Sequence, residues 1–274
     1  MLMLAPMTPI RAIALGLCAL LSPAAQAQGI EVPVSVEVLP GWRTADGTHM
    51  SAIRIDMGEG WKTYWRAPGD AGIPPRIVWA GSENVDGAAL HWPVPEVFMS
   101  AGMQTIGYHG SVVIPMELHT PDAGADATLR GTLEIGVCDD ICVPVSVPFD
   151  LVLPGDARRR SPEIAAALID RPLTGAEAGA GPVTCQIAPT DDGLRLTASV
   201  QIPAGRGEEI VVMETTDPEI WVSGTATSRE GNRLTASADL VHLAGAPMSI
   251  DRSGLRFTIL SDGTAVDLRG CAAG

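Results

Sequence analysis

Valine stands at every second position from Val32 to Val38, separated by Pro33, Ser35 and Glu37. A period of two over that length puts successive side chains on opposite faces of an extended chain, the pattern of a half-buried β-strand. The same texture returns at residues 50–57, 112–118, 128–137 and 143–153. Turn-rich segments, notably residues 67–75 and 81–88, lie between them, and strands do not alternate with helices. Short strands punctuated by Gly and Pro predict an all-β chain folded as a β-sandwich.

The pattern stops at Leu153-Pro154-Gly155-Asp156. Ser161-Pro162-Glu163 then has the order of a helix start, with Ser as cap, Pro at the first position and an acid in the first turn. Ile164 to Ile169 supply about two turns before Arg171-Pro172 ends them. The Gly/Ala-rich residues 175–181 read as a flexible linker. From Val183 the strand pattern resumes, at residues 194–202, 210–213, 220–223, 234–241, 255–260 and 266–268. Roughly seven short strands in about 95 residues fit an immunoglobulin-like sandwich. The expectation is therefore two immunoglobulin-like β-sandwich domains, residues 28–155 and 182–274, joined by a short helix and linker over residues 156–181.

The first residues set the compartment. Arg11 is the only charge among residues 1–30, and the apolar run from Ala12 to Leu21 follows it. Ser22-Pro23 and the small-residue tripeptide Ala25-Gln26-Ala27 complete a Sec signal peptide over residues 1–27, with a mature start near Gln28. Its apolar run is too short to span a bilayer, and Leu17 before Cys18 does not suit a lipoprotein signal. No later segment is a long apolar run, so a soluble periplasmic protein without membrane insertion is expected. Removing Arg11 takes the formal charge from −14 to −15. That balance argues against nucleic acid and anionic lipid as partners.

Four cysteines remain after the signal: Cys138, Cys142, Cys185 and Cys271. An even number in an oxidising compartment points to disulfides. Fully extended, Cys138-Asp139-Asp140-Ile141-Cys142 would hold its two Cα atoms about 13 Å apart, too far to bridge. The chain must turn at Asp139-Asp140, placing both thiols at a hairpin tip. A bridge closing that loop of about five residues is worth roughly 2 kcal/mol in the chain-entropy model. Cys185 to Cys271 closes about 87 residues, worth roughly 4.6 kcal/mol, and reads as a structural disulfide. The small return on the first pair favours a reversible role.

Asp139 and Asp140 disfavour a nearby thiolate, and no Lys, Arg or His lies within four residues of either thiol. A reduced form without such stabilisation makes a weak oxidant, so a reductant or electron relay is expected. Two other readings stay open. The pair is a structural clip, or Cys138, Cys142, His109, Met99 and Met103 are soft donors for Cu(I).

Three stretches carry a family resemblance: Gly60-Trp61-Lys62-Thr63-Tyr64-Trp65-Arg66-Ala67-Pro68-Gly69-Asp70, Ile106-Gly107-Tyr108-His109-Gly110, and Val137-Cys138-Asp139-Asp140-Ile141-Cys142-Val143-Pro144. In this order they resemble the N-terminal periplasmic domain of DsbD/ScsB-type disulfide reductases, over residues 30–155 and more loosely beyond. The resemblance implies an immunoglobulin-like fold with Cys138 and Cys142 as the catalytic pair. It implies Trp61, Tyr64 and Trp65 as an aromatic strand near the pair. Met103, Ile106 and Tyr108 are implied as shielding side chains, from a capping loop over residues 99–108. Either Cys142 or Cys138 is left as the attacking thiol, with Cys142 ahead. The cysteine spacing is shorter than that of DsbD itself. No membrane-spanning region or thioredoxin-like C-x-x-C module follows, so a freestanding form of the soluble part is expected.

The leading expectation is a periplasmic thiol-disulfide exchange protein, an oxidoreductase of the protein-disulfide reductase type. It would relay electrons from a membrane-embedded or thioredoxin-like donor to periplasmic thiol-disulfide clients. The alternative is a non-catalytic binding module, copper-handling or chaperone-like, with both pairs structural. No cofactor and no resident metal are expected. The sequence has no G-x-S-x-G, no phosphate-cradling Gly loop and no H-E-x-x-H.

Overall fold

The alternating segments fold as expected into long strands, and the turn-rich stretches between them hold shorter ones. The structure, a computed structural model, describes residues 32–274 apart from Ala71 and Ala101. The expected signal peptide lies outside the described residues. In the first half the strands are β1 (Val34–Arg43), β2 (His49–Met57), β3 (Lys62–Gly69), β4 (Arg76–Trp79) and β5 (Gly87–Leu90). They continue with β6 (Glu96–Ser100), β7 (Met103–His109), β8 (Ser111–His119), β9 (Ala127–Cys138) and β10 (Cys142–Leu153). Two sheets result, ordered β1-β2-β8-β5 and β10-β9-β3-β7-β6, with β4 also paired to β9. Their facing sides bury Ile53, Ile55, Trp65, Ile114, Met116, Leu129 and Ile135 in one core.

β9 and β10 form an unbroken antiparallel hairpin, from Ala127 opposite Leu153 to Cys138 opposite Cys142. β10 ends its sheet, and this edge position tolerates Pro144 and Pro148, which lack the N–H that a central strand needs. The helix α1 (Pro162–Ile169) starts where the sequence places it, with Ser161 Oγ accepting from the Ile164 N–H. Ile164 packs with Leu39, Trp42, Met50 and Ala52, so α1 covers one side of the first sheet.

The second half holds β11 (Leu173–Thr174), β12 (Thr184–Pro189), β13 (Leu194–Gln201), β14 (Ile210–Glu214) and β15 (Ile220–Val222). It ends with β16 (Ala226–Glu230), β17 (Arg233–His242), β18 (Arg256–Ser261), β19 (Thr264–Arg269) and β20 (Ala272–Ala273). The sheets run β11-β19-β18-β14 and β15-β17-β13-β12-β20, with β16 on β17. They enclose a second core around Leu196, Val211, Met213, Leu240 and Phe257. The chain is thus all-β with an immunoglobulin-like architecture.

Two features depart from a picture of separate domains on a loose tether. Leu260 and Ala265 are buried in the first core, with Ile210 and Val212 packed against it, so the two halves share an apolar junction. Residues 175–181, expected as a flexible linker, are tied by backbone bonds from Ala178 to Thr174, Ala180 to Gly175 and Gly181 to Gln201. Ala178 and Ala180 pack on the second core, which is why a Gly/Ala-rich composition here does not mean freedom. No helix among the described residues is long and apolar enough to cross a membrane.

Candidate functional site

Cys138 and Cys142 are disulfide-bonded at the tip of the β9–β10 hairpin, across the three-residue turn Asp139-Asp140-Ile141. The Asp139 N–H donates to the Ile141 carbonyl at 3.2 Å, which closes the turn. The two sulfurs sit in unequal surroundings: Cys138 is fully buried, whereas Cys142 is exposed.

Burial at Cys138 comes from its neighbours across the sheet. Lys62 of β3 stands opposite Cys138, and Thr63 opposite Val137. Because side chains alternate along a strand, Lys62 and Tyr64 share the face of Cys138 while Thr63 and Trp65 point to the other. The Tyr64 hydroxyl lies 3.0 Å from Cys138 Sγ and 3.1 Å from Cys142 Sγ. Tyr64 is 1% exposed. Burial pushes its pKa above the ordinary tyrosine value, so the phenol stays protonated as a donor toward sulfur.

After Thr63, β3 leaves β9 and the chain returns as β4, which pairs with β9 at residues 131–134. The intervening loop packs onto the phenol ring. A Cβ on Gly72 would lie 2.7 Å from Tyr64 Cδ1, and one on Gly136 would lie 3.1 Å from Cε2 and 2.8 Å from Ile73 Cβ. Both positions therefore need glycine, and Tyr64 is held between them.

Of the six side chains expected around the pair, Tyr64 alone is in hydrogen-bonding contact with it. Trp65, Ile106 and Tyr108 are buried in the first core, and half-buried Trp61 packs against the same core. The Tyr108 hydroxyl donates to the Pro93 carbonyl at 2.9 Å. The shielding role expected of Ile106 and Tyr108 is therefore corrected: strand parity turns them inward. Met103 is exposed at the start of β7 and Met99 on β6. His109 Nδ1 is 2.9 Å from Glu96 Oε2, and its ring packs on Phe98 at 4.6 Å between centroids.

Sequence reasoning missed Lys62. Its ammonium donates to the Asp139 carbonyl at 3.1 Å and lies 5.9 Å from the Phe98 ring centroid. The cation that is absent along the chain near the cysteines is supplied across the sheet. Parity within Lys62-Thr63-Tyr64-Trp65 is the signal that would have put Lys62 and Tyr64 on one face.

Cys185 of β12 and Cys271 are bonded to each other. Cys185 is buried in the second core, with the Arg252 guanidinium donating to its carbonyl at 2.7 Å.

Residues 31–154 match the family model described as thiol:disulfide interchange protein DsbD, N-terminal. No curated protein matches the chain. Among solved structures, the N-terminal periplasmic domain of ScsB from Proteus mirabilis aligns with a TM-score of 0.65 at 23% identity. The alignment covers 88% of this chain and 94% of that one, and at such identity it speaks for the fold. The chain is thus similar over residues 31–154 to the N-terminal domains of thiol:disulfide interchange proteins of the DsbD family.

Proposed function

We propose that the protein is a periplasmic thiol-disulfide exchange protein that relays electrons through Cys138 and Cys142, from a membrane reductase or its thioredoxin-like module to periplasmic thiol proteins. The observation that carries this reading is the unequal pair: one exposed cysteine, one buried cysteine, and a protonated phenol on both sulfurs.

In the accepting half-reaction a donor thiolate attacks the exposed sulfur of Cys142. The Cys138–Cys142 bond breaks, its electron pair leaves on Cys138, and a mixed disulfide joins the donor to Cys142. The leaving sulfur is born beside the Tyr64 O–H, which donates to the new thiolate. A second donor thiol resolves the mixed disulfide and leaves the pair reduced. In the delivering half-reaction the Cys142 thiolate attacks a client disulfide. Cys138 then displaces the client as a dithiol and re-forms the intramolecular bond. Met103 and Ile141, both exposed, supply apolar contact surface for partners.

The test uses a thioredoxin-like domain lacking its resolving cysteine. After its remaining thiol is activated as a mixed disulfide with thionitrobenzoate, the Cys138→Ala chain should release thionitrobenzoate from Cys142 and accumulate as the protein–protein mixed disulfide, while Cys142→Ala should trap little. Equal trapping by both variants, or none by either, contradicts the reading.

A further inference from the structure

The second sandwich carries no exchange cysteine, yet it holds the segment that packs on Tyr64. Two residues beyond Tyr64, Arg66 reaches across the junction. Its Nε and Nη2 donate to the two Glu214 carboxylate oxygens, each at 3.0 Å, and Nη2 also donates to Thr258 Oγ1 at 3.0 Å. The guanidinium stacks on Trp65 at 3.7 Å from the ring centroid. Both partners are sheltered, with side chains 12% and 21% exposed. The remaining Arg66 nitrogen, Nη1, is buried without a partner. The Glu214 pair and the Thr258 bond therefore supply all the hydrogen bonding of this buried cation.

The other end of the loop also rests on the second sandwich. A Cβ on Gly224, between β15 and β16, would lie 3.1 Å from Asp70 Oδ1. The Asp70 N–H is bound to the Gln104 carbonyl at 3.1 Å. Arg66 and Asp70 thus bracket the stretch through Pro68, and Gly72, two residues after Asp70, lies against the Tyr64 ring. Next to this contact a cleft of about 520 Å³ opens, walled by residues 66–70 on one side and β14 and β15 on the other. The ion pair crosses beside this open space, while Ala67 next to it packs on the first core.

We infer that the second sandwich positions the exchange site: the Arg66–Glu214 clamp holds the loop against Tyr64 and so keeps its hydroxyl on the sulfurs of Cys138 and Cys142. This rests on the exchange reading above. Arg66 and Glu214 are positioning residues and touch no reacting atom. The apolar junction of Ile210, Val212, Leu260 and Ala265 keeps the two halves together without the ion pair. Loss of the clamp therefore loosens the loop without parting the sandwiches. A phenol freed to move spends less time donating to the Cys138 thiolate, which disfavours the reduced form.

The experiment is a double-mutant cycle on the full chain with Glu214→Gln and Tyr64→Phe. Glu214→Gln should lower the equilibrium constant for reduction of the Cys138–Cys142 pair about threefold to tenfold, part of what a hydrogen bond to a charged sulfur is worth. In the Tyr64→Phe background the same change should have little further effect, because both act through one hydroxyl. Glu209→Gln, which breaks the sheltered Arg229–Glu209 pair inside the second sandwich, should reduce stability and leave the equilibrium constant unchanged. The proposal is overturned if Glu214→Gln changes stability alone, or if its effect adds in full to that of Tyr64→Phe.

Phenol titration gives a readout independent of exchange, since the chain has only two tyrosines. Glu214→Gln should bring the Tyr64 pKa down toward its ordinary value of 10.0, and an unmoved titration also overturns the clamp. A pair in the unaltered protein that never exchanges would instead defeat the exchange reading, with the titration still judging the clamp.

Discussion

The Tyr64 hydroxyl stands 3.0 Å from the fully buried sulfur of Cys138, at the one place where a leaving thiolate needs a donor. Removing that donor in Tyr64→Phe takes stabilisation from the reduced state and little from the disulfide. Hydrogen bonds to charged groups are worth about 1.5–3 kcal/mol, and about 30 mV corresponds to 1.4 kcal/mol for a two-electron couple. The reduction potential of the Cys138–Cys142 pair should therefore become more negative by about 30–60 mV. Equilibration with dithiothreitol or glutathione buffers measures this, and an unchanged or more positive potential counts against the role given to Tyr64.

Lys62 faces Cys138 across the sheet and is anchored by the Asp139 carbonyl. An ammonium near the pair favours thiolate, but this one is only half-buried, so its influence is modest. Lys62→Met should lower the fraction of the exchanging cysteine present as thiolate at neutral pH. The difference should shrink in molar salt, where the Debye length falls to about 3 Å. Thiolate ultraviolet absorbance against pH, at low and high salt, reads both effects.

The hairpin, its acidic turn and the Cys138–Cys142 pairing were legible in the sequence because each is local, and Cys185–Cys271 is the pairing that remains. Asp139-Asp140 cannot sit mid-strand between thiols that must meet, and alternating valines declare a strand without help from the rest of the fold. The surroundings of the pair were harder to read. β3 leaves β9 after Thr63, and the chain returns to it only as β4, so Gly72 and Ile73 look like loop by composition, yet Gly72 lies against the phenol ring and Ile73 against Gly136 beside it. Ile106 and Tyr108 are placed by the pair only through the family resemblance, as part of a capping loop over residues 99–108. Parity, set by the β3–β7 register of Thr63 with Tyr108, turns them into the core. Ile73 reaches the site only through tertiary packing, and the parity of Lys62 with Tyr64 becomes informative only once β3 is paired with β9.

Cys185 and Cys271 tie β12 to the chain just before β20 in the second sandwich. Replacing both by Ala should destabilise the protein by about 2–5 kcal/mol through loss of the loop constraint. The potential of the Cys138–Cys142 pair should not move while the variant remains folded. Urea unfolding and a redox titration on the same sample check the two halves of this expectation.

His49 is fully buried beside Pro40, whose carbonyl lies 2.6 Å from Nε2. Desolvation, reinforced by the charges of Arg43 and Arg158, holds its pKa below the ordinary 6.5. The unfolded chain therefore binds a proton at His49 more readily than the folded one. Stability tied to this residue is complete well above pH 6.5 and declines as pH falls through that value toward the lower folded pKa. His49→Gln, which keeps a donor but cannot titrate, should flatten this part of the acid-stability curve. A slope below pH 6.5 that is identical in the variant would remove His49 from the account.

The central claim is that one disulfide exchanges and the other does not. The most direct measurement equilibrates the oxidised chain with graded ratios of reduced to oxidised thioredoxin-type protein, then labels free thiols and locates them by mass. Cys138 and Cys142 should become labelled together in a single two-electron step, while Cys185 and Cys271 remain protected throughout. Joint protection of all four cysteines, or release of both pairs over the same range, would contradict the account.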